Sequence, residues 1–469
     1  MRGNADANRR VLAATSVSYV VVLLDTSIVN VALDSLSTAF GANISGLQWV
    51  VNAYTLMFAS LLLTGGTLGD RWGARKVYLA GLIVFTLASV LCGISTSLPV
   101  LIFARAVQGI GAAMLVPCSL KLIHRASPDP ATRARAIGLW VGLGGVAMAA
   151  GPLVGGVLIH WFGWRSVFFV NVPICLAGIV MAQRTNRDPI CARGEHIDLW
   201  GQVCAIVALA TLIGVLIEGR SMGWMSPTAI AGVAVTVAAW TTFLRIEARH
   251  PHPMLPLSLF RNGVFSGSTF VSMASAFVFY GLLFLVSLNY QQARGYSPLQ
   301  TGLAMLPMTA MVAAGSLVAG RLAHRYGSKW TMMVAFGSYA AGAIGLWFAT
   351  AAATYAFAVA PMLAVGLASG FISPVATAPA LETVQPRQTG LAAAALNSAR
   401  QTGSALGVAI FGSVVGSSHP FEAGLRAALG LVVVVSLVAM LAWWLALTRR
   451  AGVRFRQGNR VPLLMFVQN

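Results

Sequence analysis

Residues 330–381 contain no charged side chain. As a single helix this stretch would be about 78 Å long, more than twice the roughly 30 Å hydrocarbon thickness of a bilayer. It must fold as two crossings, with the small-residue tract "TAAATY" at 350–355 as the expected turn. Apolar runs of about 20 residues, the length that spans a bilayer, recur from one end of the chain to the other. The composition agrees: 57% of the 469 residues are hydrophobic and 9% are charged, against about 25% charged in a soluble domain. The runs show no period of two, so barrel strands are excluded. The expected fold class is an all-α membrane protein.

Walking the chain gives fourteen expected spans. An even count puts both termini on one side. The net charge is +19, and its distribution says which side. Alternate loops and the termini collect 25 of the 31 Lys and Arg residues. The opposite loops hold only Arg165, Arg220, Arg294 and Arg426, and Arg105 and Arg400 fall inside spans. By the positive-inside rule both termini are expected in the cytoplasm, with the chain in the inner (plasma) membrane. No basic run is interleaved with aromatics as a strand-binding groove requires, so no nucleic-acid partner is expected. The five cysteines show no CxxC spacing, and neither a metal site nor a disulfide framework is indicated.

"GTLGDRWGARK" at 66–76 reappears as "GRLAHRYGSK" at 320–329. Each copy follows an apolar span and opens a short basic loop. Internal repetition of this kind marks transporters built from two related halves. The expected organisation is a six-helix bundle at 1–190, two inserted transmembrane helices at 191–250, a second six-helix bundle at 251–450, and a basic tail at 451–469.

With these segments the sequence resembles the major facilitator superfamily, and within it the fourteen-helix drug:proton antiporters. "GTLGDRWGARK" matches the family's loop motif between the second and third helices. "LIFARAVQGIGAA" at 101–113 matches the fourth-helix motif. "GPLVGG" at 151–156 matches the core of the antiporter motif, and "LDTSIVNVAL" at 24–33 the first-helix motif of the fourteen-helix branch. In the second loop copy His324 stands where the first has Asp70.

Asp25 is the one acid placed deep in a span, about 22 Å above the cytoplasmic surface by helical rise. An ionised Asp facing lipid costs about 2.5–3.5 kcal/mol. It must therefore face a partner or a cavity, or hold a proton. Arg105, about 10 Å from the outer end of its span, lies at the same depth. Two roles fit the pair: a satisfied helix–helix contact, or a proton and substrate site balanced between burial and a fixed positive charge. The resemblance implies the second, assigning the Arg of "RAVQG" to proton transfer. Gln108 and Asn30 are the expected polar neighbours.

In the loop motif, Asp70 and Arg71 end one span, and Arg75 and Lys76 begin the next across Gly73, with Gly66 opening the motif. Charges so placed can bridge neighbouring helices and bias which face of a transporter is open. Gly151, Gly155 and Gly156 allow close helix approach, and Pro152 kinks the span. The resemblance implies a hinge and leak barrier there, as in exporters. Arg400, with Asn397 and Gln401, forms a buried cationic neighbourhood in the second half that could meet a polar or anionic substrate. Trp49, Tyr54 and Tyr290 could line a cavity, but most such aromatics are expected to be interface anchors or packing.

The function expected is proton-coupled efflux of small amphipathic or cationic compounds by alternating access. The alternative is export of an endogenous metabolite such as an amino acid, pigment or antibiotic. No nucleotide-binding GxxxxGK[ST] pattern or nucleophile constellation occurs, so neither an enzyme nor direct ATP drive is expected. No cofactor is expected beyond the proton-motive force. The expected partners are substrate, protons and lipid, and the expected state is a monomer.

Overall fold

The computed structural model of the chain describes residues 2–127, 129–184, 198–251, 253–350, 354–385, 388–418 and 420–458, with side chains between 8 and 448. The limit set at 190/191, Cys191, the middle of the 350–355 turn and the last eleven residues of the tail lie outside them. Among the described residues every regular element is helical.

The first half begins with α1 (Arg2–Ile28), which passes through a 3-10 turn into α2 (Leu33–Phe40). Asn43 then caps α3 (Ile44–Trp72) by accepting from the Gly46 N–H, satisfying a donor the helix start leaves open. There follow α4 (Ala74–Ile94), α5 (Leu98–Ala126) and α6 (Pro130–Phe162). Asp129 caps α6, and the backbone N–H and then the hydroxyl of Thr132 hold its carboxyl below the usual range. Short α7 (Ser166–Phe169) and α8 (Asn171–Gln183) complete the half.

The inserted pair is α9 (Leu199–Met222) and α10 (Pro227–Arg249). The second half runs through α11 (Gly263–Leu288), α12 (Pro298–Thr350), α13 (Ala356–Leu381), α14 (Thr389–Gly416) and α15 (Phe421–Gly458). Helix ends at Thr350 and Ala356 bracket the expected turn.

Twelve described helices are long and apolar enough to cross a membrane, against the fourteen expected. Two helices bear on that count. The 53-residue α12 is interrupted at Gly327, where φ is 81° and ψ is 152°. And α14, 28 residues long, is outside the twelve because it carries the polar run 397–402. Gly327 also locates the repeat: it is the counterpart of Gly73, which breaks α3 from α4 at φ 96°. Only glycine adopts such angles without steric cost.

Two ends of the molecule can be told apart. The near end carries the Gly73 and Gly327 turns; the far end carries α2 and α7. One core joins buried side chains of both halves toward the far end, from Ile28 and Leu47 to Phe411, and continues within the second half to Met332 and Trp443 near the Gly327 end. Two further cores each keep to one half. One gathers Tyr78, Phe85 and Leu122 of the first half, the other Leu259, Phe265 and Leu396 of the second. The halves meet through α6 against α12 and α3 against α14. The inserted α9 lies against α3 and α14, with α10 outside it.

Candidate functional site

Asp25 lies on α1 with its side chain fully buried, and Arg105 on α5 is 1% exposed. The sequence places both in apolar runs, so helix packing carries them out of lipid into the bundle. The Arg105 Nη1 donates to Asp25 Oδ2 at 2.6 Å and to Gln108 Oε1 at 2.7 Å. Gln108 Nε2 donates to Asp25 Oδ1 at 2.9 Å and to Ser89 Oγ at 3.0 Å. Asn171 Nδ2 also donates to Asp25 Oδ1, at 2.8 Å. The carboxylate thus accepts three hydrogen bonds, one of them charge-assisted, from three residues on two helices.

Arg105 is held from its other side as well. Its Nε donates to the Val50 carbonyl at 3.1 Å, and its Cζ lies 4.4 Å from the Tyr54 ring centroid. A guanidinium stacked and bonded in this way does not depend on the carboxylate alone. Proton uptake by Asp25 would remove the ion pair yet leave Arg105 three partners. That arrangement permits a reversible charge on Asp25 without collapse of the cluster.

Beside Arg105 is a void lined by Thr26, Asn30, Tyr54, Tyr280 and Ser404, among others. Its volume is about 10 Å³, room for roughly one water. Asn30 donates to the Thr26 and Ser27 carbonyls, and its Oδ1 is buried without a partner. Its backbone carbonyl accepts from Ser287 of the second half at 2.6 Å. Asn30 therefore sits at the seam between the halves rather than on Asp25.

The far-end seam is closed by direct contacts. Gln48 on α3 donates to the Val408 and Ala409 carbonyls of α14 at 2.8 and 2.6 Å. The "GPLVGG" glycines divide their work. A Cβ on Gly151 would lie 1.8 Å from Ser27 Oγ, and one on Gly155 2.8 Å from Ile28 Cγ1, so both admit α1. A Cβ on Gly156 would lie 2.7 Å from the Pro298 carbonyl oxygen, so it admits α12. The Pro152 carbonyl abuts Gly302 of α12 in the same way.

The loop motif pairs differently from expectation. Asp70 pairs with Lys121 of α5, and Lys121 also donates to the Gly66 carbonyl. Arg75 donates to the Ala182 and Gln183 carbonyls at the end of α8. The Gly73 turn directs the start of α4 toward α8, so Arg75 cannot serve Asp70 as the sequence order implied. Arg71 and Lys76 are exposed.

Trp49 takes the anchoring role of the two open to it. Its indole Nε1 donates to Glu218 of α9 at 3.0 Å, so it anchors the inserted helix instead of lining the central void. Tyr54 does line it. Arg400 donates to Ser373 on α13 and to Asn397 one turn away, while Gln401 Oε1 is buried without a partner. Among the described residues no three His, Cys, Asp or Glu side chains stand close enough to hold a metal.

Three participants were missed in the sequence. Asn171 is a neutral amide in the run "VFFVNVPICLAG", the same kind of interruption as Asp25 but without charge to draw attention. Lys121 reads as a loop charge until α5 is seen to extend to Ala126. Ser89 is a small hydroxyl among apolar neighbours, for which no signal existed.

Comparison with known proteins agrees with this architecture. The profile of the Major Facilitator Superfamily matches residues 15–408. The chain is 37% identical over 436 residues to the Methylenomycin A resistance protein of Bacillus subtilis (strain 168), covering 92% of this chain and 93% of that one. It is 33% identical over 422 residues to the Tetracenomycin C resistance and export protein of Streptomyces glaucescens, covering 87% and 76%. The crystal structure of the POT family transporter PepTSo superposes with a TM-score of 0.67 at 12% identity, covering 94% of this chain and 98% of that one. A bacterial homologue of the lysosomal transporter Spinster gives 0.63 at 18% identity, covering 94% and 97%. From its helical architecture and these matches, the chain belongs to the Major Facilitator Superfamily.

Proposed function

We propose that this chain is a proton-driven exporter of small amphipathic compounds, antibiotics among them, from the fourteen-crossing branch of drug:proton antiporters. Counting α12 as two helices across Gly327 and including α14 gives that number. The near end then faces the cytoplasm of the inner membrane, with both termini, as the basic loops favour. The named relatives are resistance and export proteins, which supports efflux as the activity and speaks against an enzyme.

The observation that carries the proposal is the Asp25–Arg105 pair, fully enclosed in a membrane bundle and bordered by a void at the seam. In the present state the far end is sealed and the near-end cores are apart. Substrate would enter from the cytoplasm. Rocking would then open the far end at Asn30–Ser287 and Gln48–Val408, widen the void and admit water from outside. A proton reaching Asp25 would neutralise it, and its release to the cytoplasm after the return stroke would complete the exchange.

Expression in a bacterium stripped of its own pumps tests this. The wild-type chain is expected to raise the inhibitory concentrations of several unrelated antibiotics, and Asp25→Asn, made in equal amount, is expected not to. Equal protection by both would contradict the role given to Asp25. Protection by neither would contradict efflux.

A further inference from the structure

In the transport core Asp25 and Arg105 are fully buried and Arg400 is half-buried, and their charges do not balance. Among the described residues Asp25 is the only Asp or Glu in the interior of a six-helix bundle. Asp25 is matched by Arg105. Arg400 is left over. Its recorded hydrogen bonds go to the Ser373 hydroxyl and the Asn397 amide oxygen, both neutral, and no acid pairs with it among the described residues. A guanidinium keeps its charge at any pH the cell reaches.

Arg400 is bonded within its own half, to α13 and α14, and its charge reaches the Tyr19 hydroxyl on α1 and the Tyr280 hydroxyl on α11. Tyr280 lines the void at the seam. Tyr19 is six residues before Asp25, about 9 Å toward the near end. Ser404, one turn beyond Arg400, lines the void beside Arg105. The Gln401 amide oxygen next to it has no partner. The surroundings are aromatic: Tyr19 stacks on Trp140 with ring centroids 3.6 Å apart, and the Tyr280 hydroxyl contacts the Met148 sulfur at 3.5 Å.

We propose that the exported substrate is an amphipathic organic anion whose carboxylate, or an equivalent acidic group, seats on Arg400 with its apolar body against Tyr19 and Tyr280. This deepens the export reading and rests on it. A cation would meet one uncompensated positive charge and no free carboxylate. An anion supplies the missing counter-charge, and an inside-negative membrane potential favours its outward movement.

The test uses purified full-length protein and three probes on one scaffold: pyrenebutyrate, its amide, and the matching trimethylammonium cation. The carboxylate is expected to bind about tenfold more tightly than the amide, the margin of a charge-assisted over a neutral hydrogen bond. Arg400→Lys is expected to keep that preference and Arg400→Gln to abolish it, both with wild-type thermal unfolding. Preference for the cation, survival of anion preference in Arg400→Gln, or no discrimination among the probes would each overturn the proposal. Selective binding of the carboxylate with neither its transport nor proton movement in vesicles would leave the anion site standing and overturn proton-driven export instead.

Discussion

Removing Arg105 strands the Asp25 carboxylate inside the bundle, whereas removing Asp25 leaves Arg105 its Val50, Gln108 and Tyr54 contacts. Breaking a buried pair from one side costs about 3–5 kcal/mol when the charge left behind has no other partner. Arg105→Ala is therefore expected to lower thermal unfolding in detergent sharply, and Asp25→Ala by less. The double variant is expected to recover much of that loss, because no charge is left buried. Additive losses in the double-mutant cycle would show that the two side chains are not coupled. The pair was legible in the sequence, since each member interrupts an apolar run and helical rise puts both at one depth. Gln108 was legible as the residue one turn from Arg105. Asn171 was not, because a neutral amide in a membrane helix has many harmless uses. Its partner could be known only once α8 was seen against α1.

Helix α6 is the element on which the sealed state depends. Its glycines bring it onto α1 and α12 at distances that leave no room for a Cβ. Gly156→Leu must push α12 away, and overpacking of this kind costs about 1–3 kcal/mol. The expected outcome is a fully assembled protein that leaks protons in the absence of substrate, read as faster decay of a pH gradient in vesicles. A variant as tight as wild type would mean that this contact is not the barrier. The sequence predicted close packing at "GPLVGG" but not its partners, because the α12 residues it touches are more than a hundred positions away. Distance along the chain also explains the error at the loop motif. The charges flanking the turn looked paired, whereas Asp70 reaches α5 and Arg75 reaches α8. Asp70 and Lys121 are 41% and 25% exposed, so a double-mutant cycle between them should give only about 0.2–1 kcal/mol in stability.

Across the whole molecule, one core that joins the halves toward the far end and cores that keep to a single half toward the near end define a body that can rock. Rigid halves pivoting about the seam must close one end as they open the other. Spin labels at Thr132 and Arg321, both exposed near the basic end of opposite halves, are expected to move closer together when Gly156→Leu breaks the far-end seal. An unchanged distance would contradict rigid rocking. The repeated loop motif was readable in the sequence, and its two copies turn alike at Gly73 and Gly327. The place of the inserted pair was not readable, since apolar helices with few polar residues say little about their neighbours. Gln202 bonding to Thr64 and to the Ser60 carbonyl, Trp49 to Glu218, Ser413 to the Leu216 carbonyl, and the packing of Ile213 and Ile217 on Leu56 and Ala405 fix α9 against α3 and α14.

The most direct test of the central claim counts protons in reconstituted vesicles with a pH-sensitive dye inside. Wild-type protein is expected to move protons when a transported compound is added, while Asp25→Asn exchanges that compound across the membrane without moving any. Proton movement of wild-type size in Asp25→Asn would remove the Asp25–Arg105 pair from the coupling mechanism.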